Sequence, residues 1–296
     1  AELSANHNND IKRTLKIIKE AKKVGADAIK LQTFTAESIT LDSSKKGFII
    51  KDKQSLWNNK KLFDLYKEAA LPRKWYKEIF NEAKKNNLIC FSSPFDEQAV
   101  EFLEKFNVPA FKIASFENNH YPLISKVFSK KKPTLISLGA TEFDEILNLV
   151  RFIKKKKFKN FALLHCSSSY PAKIEESNIK TILDLKKRYK FEIGYSDHTQ
   201  GIGAAIAAVS YGASIVEKHF TLDKQSGGLD DSFSSDPNEF LLLVQEIKKA
   251  WLSLGKIKYR LTKSEKRHKI FKRSIYICND IKKDERFTKN NIRIVR

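Results

Sequence analysis

The chain has 296 residues of which 41% are hydrophobic, enough to bury one large core or two smaller ones and too apolar for a disordered chain. Its formal charge of +21 invites a polyanion-binding reading, but the lysines are spread over expected helix surfaces (Lys22-Lys23, Lys84-Lys85, Lys130 to Lys132, Lys154 to Lys157, Lys186-Lys187) and are not gathered with aromatics, so solvated faces and no nucleic-acid partner are expected. Three cysteines at unrelated spacings (Cys90, Cys166, Cys278) support neither a disulfide framework nor a zinc ribbon, and there is no apolar run of membrane-spanning length, so a reducing cytoplasmic setting without a membrane is expected.

Short apolar runs alternate with amphipathic stretches, the pattern of β/α units around a parallel sheet. Strands are expected near Ala1 to Ala5, Ala28 to Thr33, Leu88 to Ser93, Ala110 to Ser115, Thr134 to Leu138, Phe161 to Cys166, Glu192 to Tyr195 and Ser214 to Phe220. Helices with apolar residues three and four apart are expected between them, at Ile11 to Val24, Arg73 to Lys85, Glu97 to Lys105, Pro122 to Phe128, Asp144 to Lys154, Asn178 to Tyr189, Gly203 to Tyr211 and Asn238 to Leu254. Eight such repeats over 1–254 match the α/β arithmetic of a TIM (β/α)8 barrel. The polar stretch from Thr35 to Leu65, with its lone Trp57, interrupts the alternation and is expected to form a long loop above the barrel mouth. A charged connector over 255–268 then leads to a new unit over 269–296, with short β-like pieces at Ser274 to Cys278 and Ile292 to Val295.

A TIM barrel builds its active site at the C-terminal ends of its strands, so the polar residues that close each expected strand are the candidates. They are Glu2 to His7; Lys30 and Gln32; Ser92 and Ser93; Lys112, Ser115 and Glu117; Ser137; Ser167, Ser168 and Tyr170; Ser196 to His198; and Glu217 to His219. Two lysines and several hydroxyls converging from different strands make a cradle for a phosphorylated substrate, because ammonium groups neutralise charge and hydroxyls donate directional bonds. His198 and His219 each follow a carboxylate by one or two positions on consecutive strands. Such imidazoles can share a borderline divalent ion, or can be satisfied structurally. His7 and His165 are expected to be structural or supporting, and His120 and His268 to lie at the surface. The turn Gly227-Gly228-Leu229-Asp230 is either a plain connection or a place where backbone and carboxylate approach a ligand.

The segments AELSANH (Ala1 to His7), KLQTF (Lys30 to Phe34), SSPFD (Ser92 to Asp96), VPAFKIASFE (Val108 to Glu117), LLHCSSSYPA (Leu163 to Ala172), GYSDHTQG (Gly194 to Gly201) and EKHFTLD (Glu217 to Asp223) together resemble the N-acetylneuraminate synthase superfamily, in its order and over nearly the whole chain. The resemblance implies a TIM barrel followed by a small antifreeze-like (SAF) domain, of which 269–296 would be the start. It also implies a domain-swapped homodimer in which that domain caps the partner's barrel, and a C–C bond-forming reaction between phosphoenolpyruvate and an amino sugar. By resemblance His198 and His219 are ligands of a divalent ion, usually manganese, with magnesium or cobalt as alternatives. Lys30, Ser93, Lys112, Ser115, Ser137 and Ser196 match positions that hold phosphoenolpyruvate, with Ser168 and Tyr170 nearby. Glu2 matches the carboxylate near the pyruvyl carbon, Glu217 the one near the metal, and Glu117 and Asp230 match contacts to the sugar.

Departures within the family bear on the sugar. AELSANH, ASFE and the stretch SGGLDDSFS (Ser226 to Ser234) resemble the pseudaminate branch, whose sugar is 2,4-diacetamido-2,4,6-trideoxy-L-altrose; neuraminate and legionaminate sugars are the alternatives. Ser93 stands where a threonine is common and Ser168 where the neuraminate enzymes carry asparagine. Ser137 to Thr141 is one residue shorter than the family's STGMAT, and the small domain stops at Arg296, before the loop whose arginine would reach the partner's site. The rival readings are a metal-dependent aldolase, which would release no phosphate, and a non-catalytic polyanion-binding module.

Overall fold

Apolar stripes on the helices decide how the chain folds back on itself. The first helix, α1 (Ile11–Lys23), buries Thr14, Ile17, Ile18 and Ala21, the spacing that aligns side chains on one helical face. The Asp10 side chain caps its N-terminus by accepting from Lys12 N at 2.8 Å, and Lys22 and Lys23 complement the dipole at its other end. The same spacing recurs in the helix Phe143–Lys155, where Ile146, Leu149, Val150 and Ile153 are buried.

The computed structural model describes residues 1–53 and 55–296. After α1 the chain forms β1 (Ala28–Thr33), α2 (Ala36–Ile39), α3 (Leu62–Ala69), α4 (Tyr76–Lys85), β2 (Ile89–Pro94), α5 (Glu97–Glu104), β3 (Phe111–Ile113), α6 (Tyr121–Ser129) and β4 (Thr134–Ser137). Then come α7 (Phe143–Lys155), β5 (Phe161–Cys166), α8 (Lys180–Tyr189), β6 (Glu192–Asp197), α9 (Gly203–Ser210), β7 (Val216–Lys218) and α10 (Pro237–Leu254). The fold is α/β: among the described residues β1 to β7 form one parallel sheet in sequence order, a TIM-like barrel wall with each strand paired to the next. Leu3, Ile29, Leu31, Phe111, Ile113, Ile136, Leu163 and Ile193 are buried in one core with the apolar faces of the helices.

The expected first strand, Ala1 to Ala5, is replaced by a pair of single-residue bridges. Glu2 pairs in parallel with Lys30 on one side and His219 on the other, so this segment lies between β1 and the residues that follow β7. It goes no further because Ser4 adopts a left-handed φ of 47° and its N–H donates to Glu2 Oε1 at 3.1 Å, which turns the chain out of the sheet. The expected loop from Thr35 to Leu65 carries α2 and the start of α3, and the last strand is confined to Val216–Lys218.

Residues 1–254 form one compact unit and 255–296 a second. In the second, α11 (Lys263–His268) opens on a capping box in which Thr262 and Glu265 satisfy each other's backbone N–H. The strands β8 (Ser274–Ile277) and β9 (Ile292–Val295) pair antiparallel, with Ser274 opposite Val295 and Ile277 opposite Ile292. The turn before β9 is held by the Asn291 side chain, which accepts from Thr288 N at 2.7 Å and donates to Arg286 O at 3.0 Å. Among the described residues no helix is long and apolar enough to cross a membrane.

Candidate active site

The C-terminal ends of the parallel strands bring together groups far apart in the chain. Lys112, from β3, is fully buried and donates to both carboxylate oxygens of Glu217, from β7, at 2.9 and 2.8 Å. Ser196, on β6, donates to the same carboxylate at 2.9 Å. Lys30, from β1, is ion-paired with Glu2, lies 3.8 Å from Glu217 and reaches Ser93 Oγ on β2 at 3.5 Å. Desolvating an ammonium costs several kcal/mol, so two lysines persist here only because two carboxylates meet them.

The charges of this cluster are set by that pairing. Burial pushes the Glu217 carboxyl up, but Lys112 and Lys30 outweigh it and hold it well below the usual carboxylate range. Burial also pulls Lys30 down, and Glu2 and Glu217 more than restore it, so Lys30 remains a cation. For Lys112, burial prevails and its value falls below that of an ordinary lysine, yet the bidentate contact with an ionised carboxylate keeps it protonated. Burial raises Glu2 against the pull of Lys30, which makes it the carboxylate of the cluster best placed to take up a proton.

A second group adjoins the first. The His198 and His219 rings face each other at 5.2 Å between centroids. His198 donates from Nδ1 to Ser167 O at 3.0 Å, with Cys166 Sγ at 3.6 Å, which leaves Nε2 free. His219 Nδ1 is buried without a hydrogen-bond partner, and burial, then the charges of His198 and Lys30, hold this imidazole well below its ordinary value, so it is neutral with a lone pair to give. Cys166 links this group to the serines: Ser115 Oγ donates to its sulfur at 3.7 Å, Ser168 Oγ lies at 3.5 Å, and Ser115 in turn accepts from Gly139 N at 3.2 Å. Tyr170 stacks obliquely on His198 at 4.5 Å.

Asp230 is also buried at this rim, where its carboxylate accepts from Ser4 Oγ at 2.5 Å and from Ala5 N at 3.2 Å. Its loop hangs on the neighbouring Asp231, which receives Arg13 at 3.0 Å, Gly228 N at 2.8 Å and a close hydrogen bond from Thr221. A Cβ on Gly228 would collide with the Asn8 and Asp231 side chains where they now stand, so glycine lets the turn close with both in place. Ser137 Oγ and Glu117 Oε2 are buried without hydrogen-bond partners, and burial pushes Glu117 up to about 7.

Of the residues singled out from sequence, Lys30, Lys112, Glu2, Glu217, Ser93 and Ser196 form one bonded cluster; Ser115, Ser168, Tyr170, His198 and His219 form the adjoining one. Glu117, Ser137 and Asp230 are bonded to neither cluster. His7 and His165 are spent on backbone carbonyls, those of Ala69 at 3.1 Å and Ser177 at 2.7 Å, and His120 and His268 are exposed.

Cys166 and Phe233 escaped the sequence reading, whereas Trp57, Asp197 and Lys218 were singled out there without their partners. Cys166 ties the serines to His198, and Trp57 and Phe233 extend the ring row beyond Tyr170. Lys218 is buried and donates to Asp197 Oδ2 at 2.8 Å, behind both histidines. Asp197 precedes His198 as Lys218 precedes His219, on adjacent strands in register.

A parallel TIM-like wall whose strand ends carry paired ammonium groups, hydroxyls and two facing imidazoles defines a barrel enzyme-type site. The chain belongs to the NeuB family, whose model matches residues 17–259. It is 43% identical over 296 residues to the pseudaminic acid synthase of Campylobacter jejuni subsp. jejuni serotype O:2, covering 100% of this chain and 86% of that protein. The pseudaminic acid synthase of Helicobacter pylori is 39% identical over 297 residues, covering 100% of this chain and 87% of that one. Among solved structures, the N-acetylneuraminic acid synthetase of Leptospira borgpetersenii serovar Hardjo-bovis in complex with citrate superposes with a TM-score of 0.79 at 33% identity, over 90% of this chain and 88% of the other.

Proposed function

We propose that this chain acts as a pseudaminic acid synthase, condensing phosphoenolpyruvate with 2,4-diacetamido-2,4,6-trideoxy-L-altrose and releasing phosphate to give a nonulosonic acid. The observation that carries the reading is the placement of two buried ammonium groups beside two facing imidazoles at one rim, in a chain whose relatives of that name align along its full length. Neuraminate and legionaminate sugars are the alternative substrates.

In this reading Lys30 and Lys112 take the charge of phosphoenolpyruvate, while Ser93, Ser115, Ser137 and Ser196 orient its oxygens. Ser137 supports this with a buried hydroxyl that lacks a partner. Two ammonium groups facing two carboxylates sum to no net charge, so an anion is favoured when Glu2, the carboxyl raised by burial, takes up a proton. Ionised, Glu2 can stabilise positive charge developing at C2 of the pyruvyl unit and accept a proton from the attacking water. Glu217 keeps Lys112 and Ser196 in place, Ser168 and Tyr170 stand near the phosphoenolpyruvate groups, and Glu117 and Asp230 are the contacts to the sugar.

The donor set suits a borderline divalent ion, manganese by preference, with magnesium or cobalt as alternatives: His198 Nε2 and the neutral His219 are free to ligate. Among the described residues no third His, Cys, Asp or Glu joins them, which would leave further positions for substrate and water. Bound there, the ion would supply Lewis-acid polarisation of the sugar's aldehyde.

The same reading takes 1–254 as a closed (β/α)8 barrel, supported by Glu2 bridging both flanking strands; 255–268 as a linker; and 269–296 as the start of a SAF-type domain. It includes a domain-swapped homodimer in the cytoplasm, the latter in keeping with three unpaired cysteines.

The test supplies purified protein with manganese, phosphoenolpyruvate and each candidate sugar in turn, reading released phosphate and product mass. Turnover with the trideoxy sugar above the others supports the assignment. Turnover only with a neuraminate- or legionaminate-type sugar shifts it, and DNA binding without any phosphate release from phosphoenolpyruvate defeats it.

A further inference from the structure

We propose that Trp57 sets the sugar specificity of this site, offering its indole face to the deoxygenated, acetamido-bearing tail of the substrate. The inference deepens the synthase reading and rests on it. A continuous row of rings leads away from the imidazoles: Tyr170 lies 4.5 Å from His198, Phe233 lies 5.1 Å from His219, and Trp57 stands beyond them at 6.1 Å from Tyr170 and 6.5 Å from Phe233. A six-carbon sugar anchored by its aldehyde end at the imidazoles extends along this row, so its far carbons come to Trp57.

The chemistry of that wall is selective. The one polar atom of the indole, Nε1–H, is spent on Leu229 O at 3.3 Å, which leaves Trp57 nothing with which to satisfy a sugar hydroxyl. Phe233 is buried, whereas Trp57 and Tyr170 are half-buried and keep ring surface open at the rim. Against such a surface the C6 methyl or the methyl of an acetamido's acetyl group gains apolar contact, while a hydroxyl at the same place loses its water without a replacement bond. The polar contacts are left to the Asp230 carboxylate, which Ser4 Oγ holds in place. The Leu229 bond also latches the stretch between α2 and α3 onto the segment that carries Asp230, so the wall and that carboxylate are fixed together.

The test compares wild type, Trp57→Ala and Trp57→Phe with the trideoxy sugar and with 6-hydroxylated N-acetylmannosamine. In Trp57→Ala the KM for the trideoxy sugar rises about tenfold, the KM for phosphoenolpyruvate stays put, and the preference for the trideoxy sugar shrinks; Trp57→Phe, which retains a ring, keeps most of that preference. Independently of turnover, the trideoxy sugar added without phosphoenolpyruvate changes the indole emission of wild type and of Trp251→Phe, but not of Trp57→Phe. An unchanged sugar KM and preference in Trp57→Ala, or an emission change that survives in Trp57→Phe, overturns the inference while wild type still turns over. Absence of phosphate release by wild type with every sugar defeats the synthase reading, and this inference with it.

Discussion

Glu217 grips the Lys112 ammonium with both carboxylate oxygens, at 2.9 and 2.8 Å, across the interior of the barrel wall. The pair joins β7 to β3, which are not neighbours in the sheet, so it braces the wall as well as charging the site.

Replacing Lys112 by alanine therefore has a double effect. It removes a substrate cation and leaves Glu217 buried with less compensation, which costs about 3–5 kcal/mol of stability. Phosphate release should fall below about 1% of wild type, and Tm should drop by about 10 °C. A variant with near-normal turnover defeats the role given to Lys112.

The two-imidazole site predicts a dependence on divalent ions. Chelation should abolish phosphate release and added manganese should restore it; titration calorimetry should find manganese binding in wild type and lose it in His198→Ala and His219→Ala. Circular dichroism of both variants should match wild type, because neither ring carries a backbone element on its hydrogen bonds alone. Undiminished manganese binding by either variant would dismiss the pair as ligands.

Glu117 supplies a pH dependence of stability. Its folded value lies near 7, above the ordinary carboxylate value of 4.5, so between those limits the folded protein holds a proton that the unfolded chain has released. The contribution is complete below 4.5 and is lost as the pH rises through about 7. Denaturant midpoints at about pH 5 and about pH 8 should fall more with rising pH in wild type than in Glu117→Gln; parallel lines for the two proteins refute the assignment.

The pair formed by Asp197 and Lys218 invites a double-mutant cycle. Lys218→Met strands a buried carboxylate, although Thr199 N and Oγ1 still donate to its other oxygen at 2.9 and 2.8 Å, and should cost about 3 kcal/mol. Adding Asp197→Asn should recover part of that loss. Strictly additive unfolding energies would show that the pair does not act as a unit.

What could be read from the sequence was whatever local order encodes. Strand periodicity located β1 to β7, and the convergence of strand ends in a parallel barrel followed from it, which is how Lys30, Lys112 and Glu217 came to be considered together. What could not be read was partnership at long range. Arg13 meets Asp231 across 218 positions, and nothing in either neighbourhood announces the other. The failed strand at Ala1 to Ala5 is the converse case: its pattern suits a strand, but the bond from Ser4 N to Glu2 Oε1 and the left-handed turn at Ser4 end it after one bridged residue. Cys166 was passed over because a lone cysteine offers no spacing to read, and only the neighbouring strand end of β6, arriving with His198, makes it a contact of the site.

Ser196 and Asp197 sit opposite Glu217 and Lys218, and successive residues on a strand face opposite sides. Ser196 and Glu217 turn inward, while Asp197 and Lys218 lock behind them. A single codon gained ahead of Glu217 in β7 would exchange these faces, seating an ammonium where an imidazole belongs and setting the Glu217 carboxylate opposite Asp197. Change of substrate in this scaffold is thereby channelled to the rim loops, whose lengths can drift without touching that alternation.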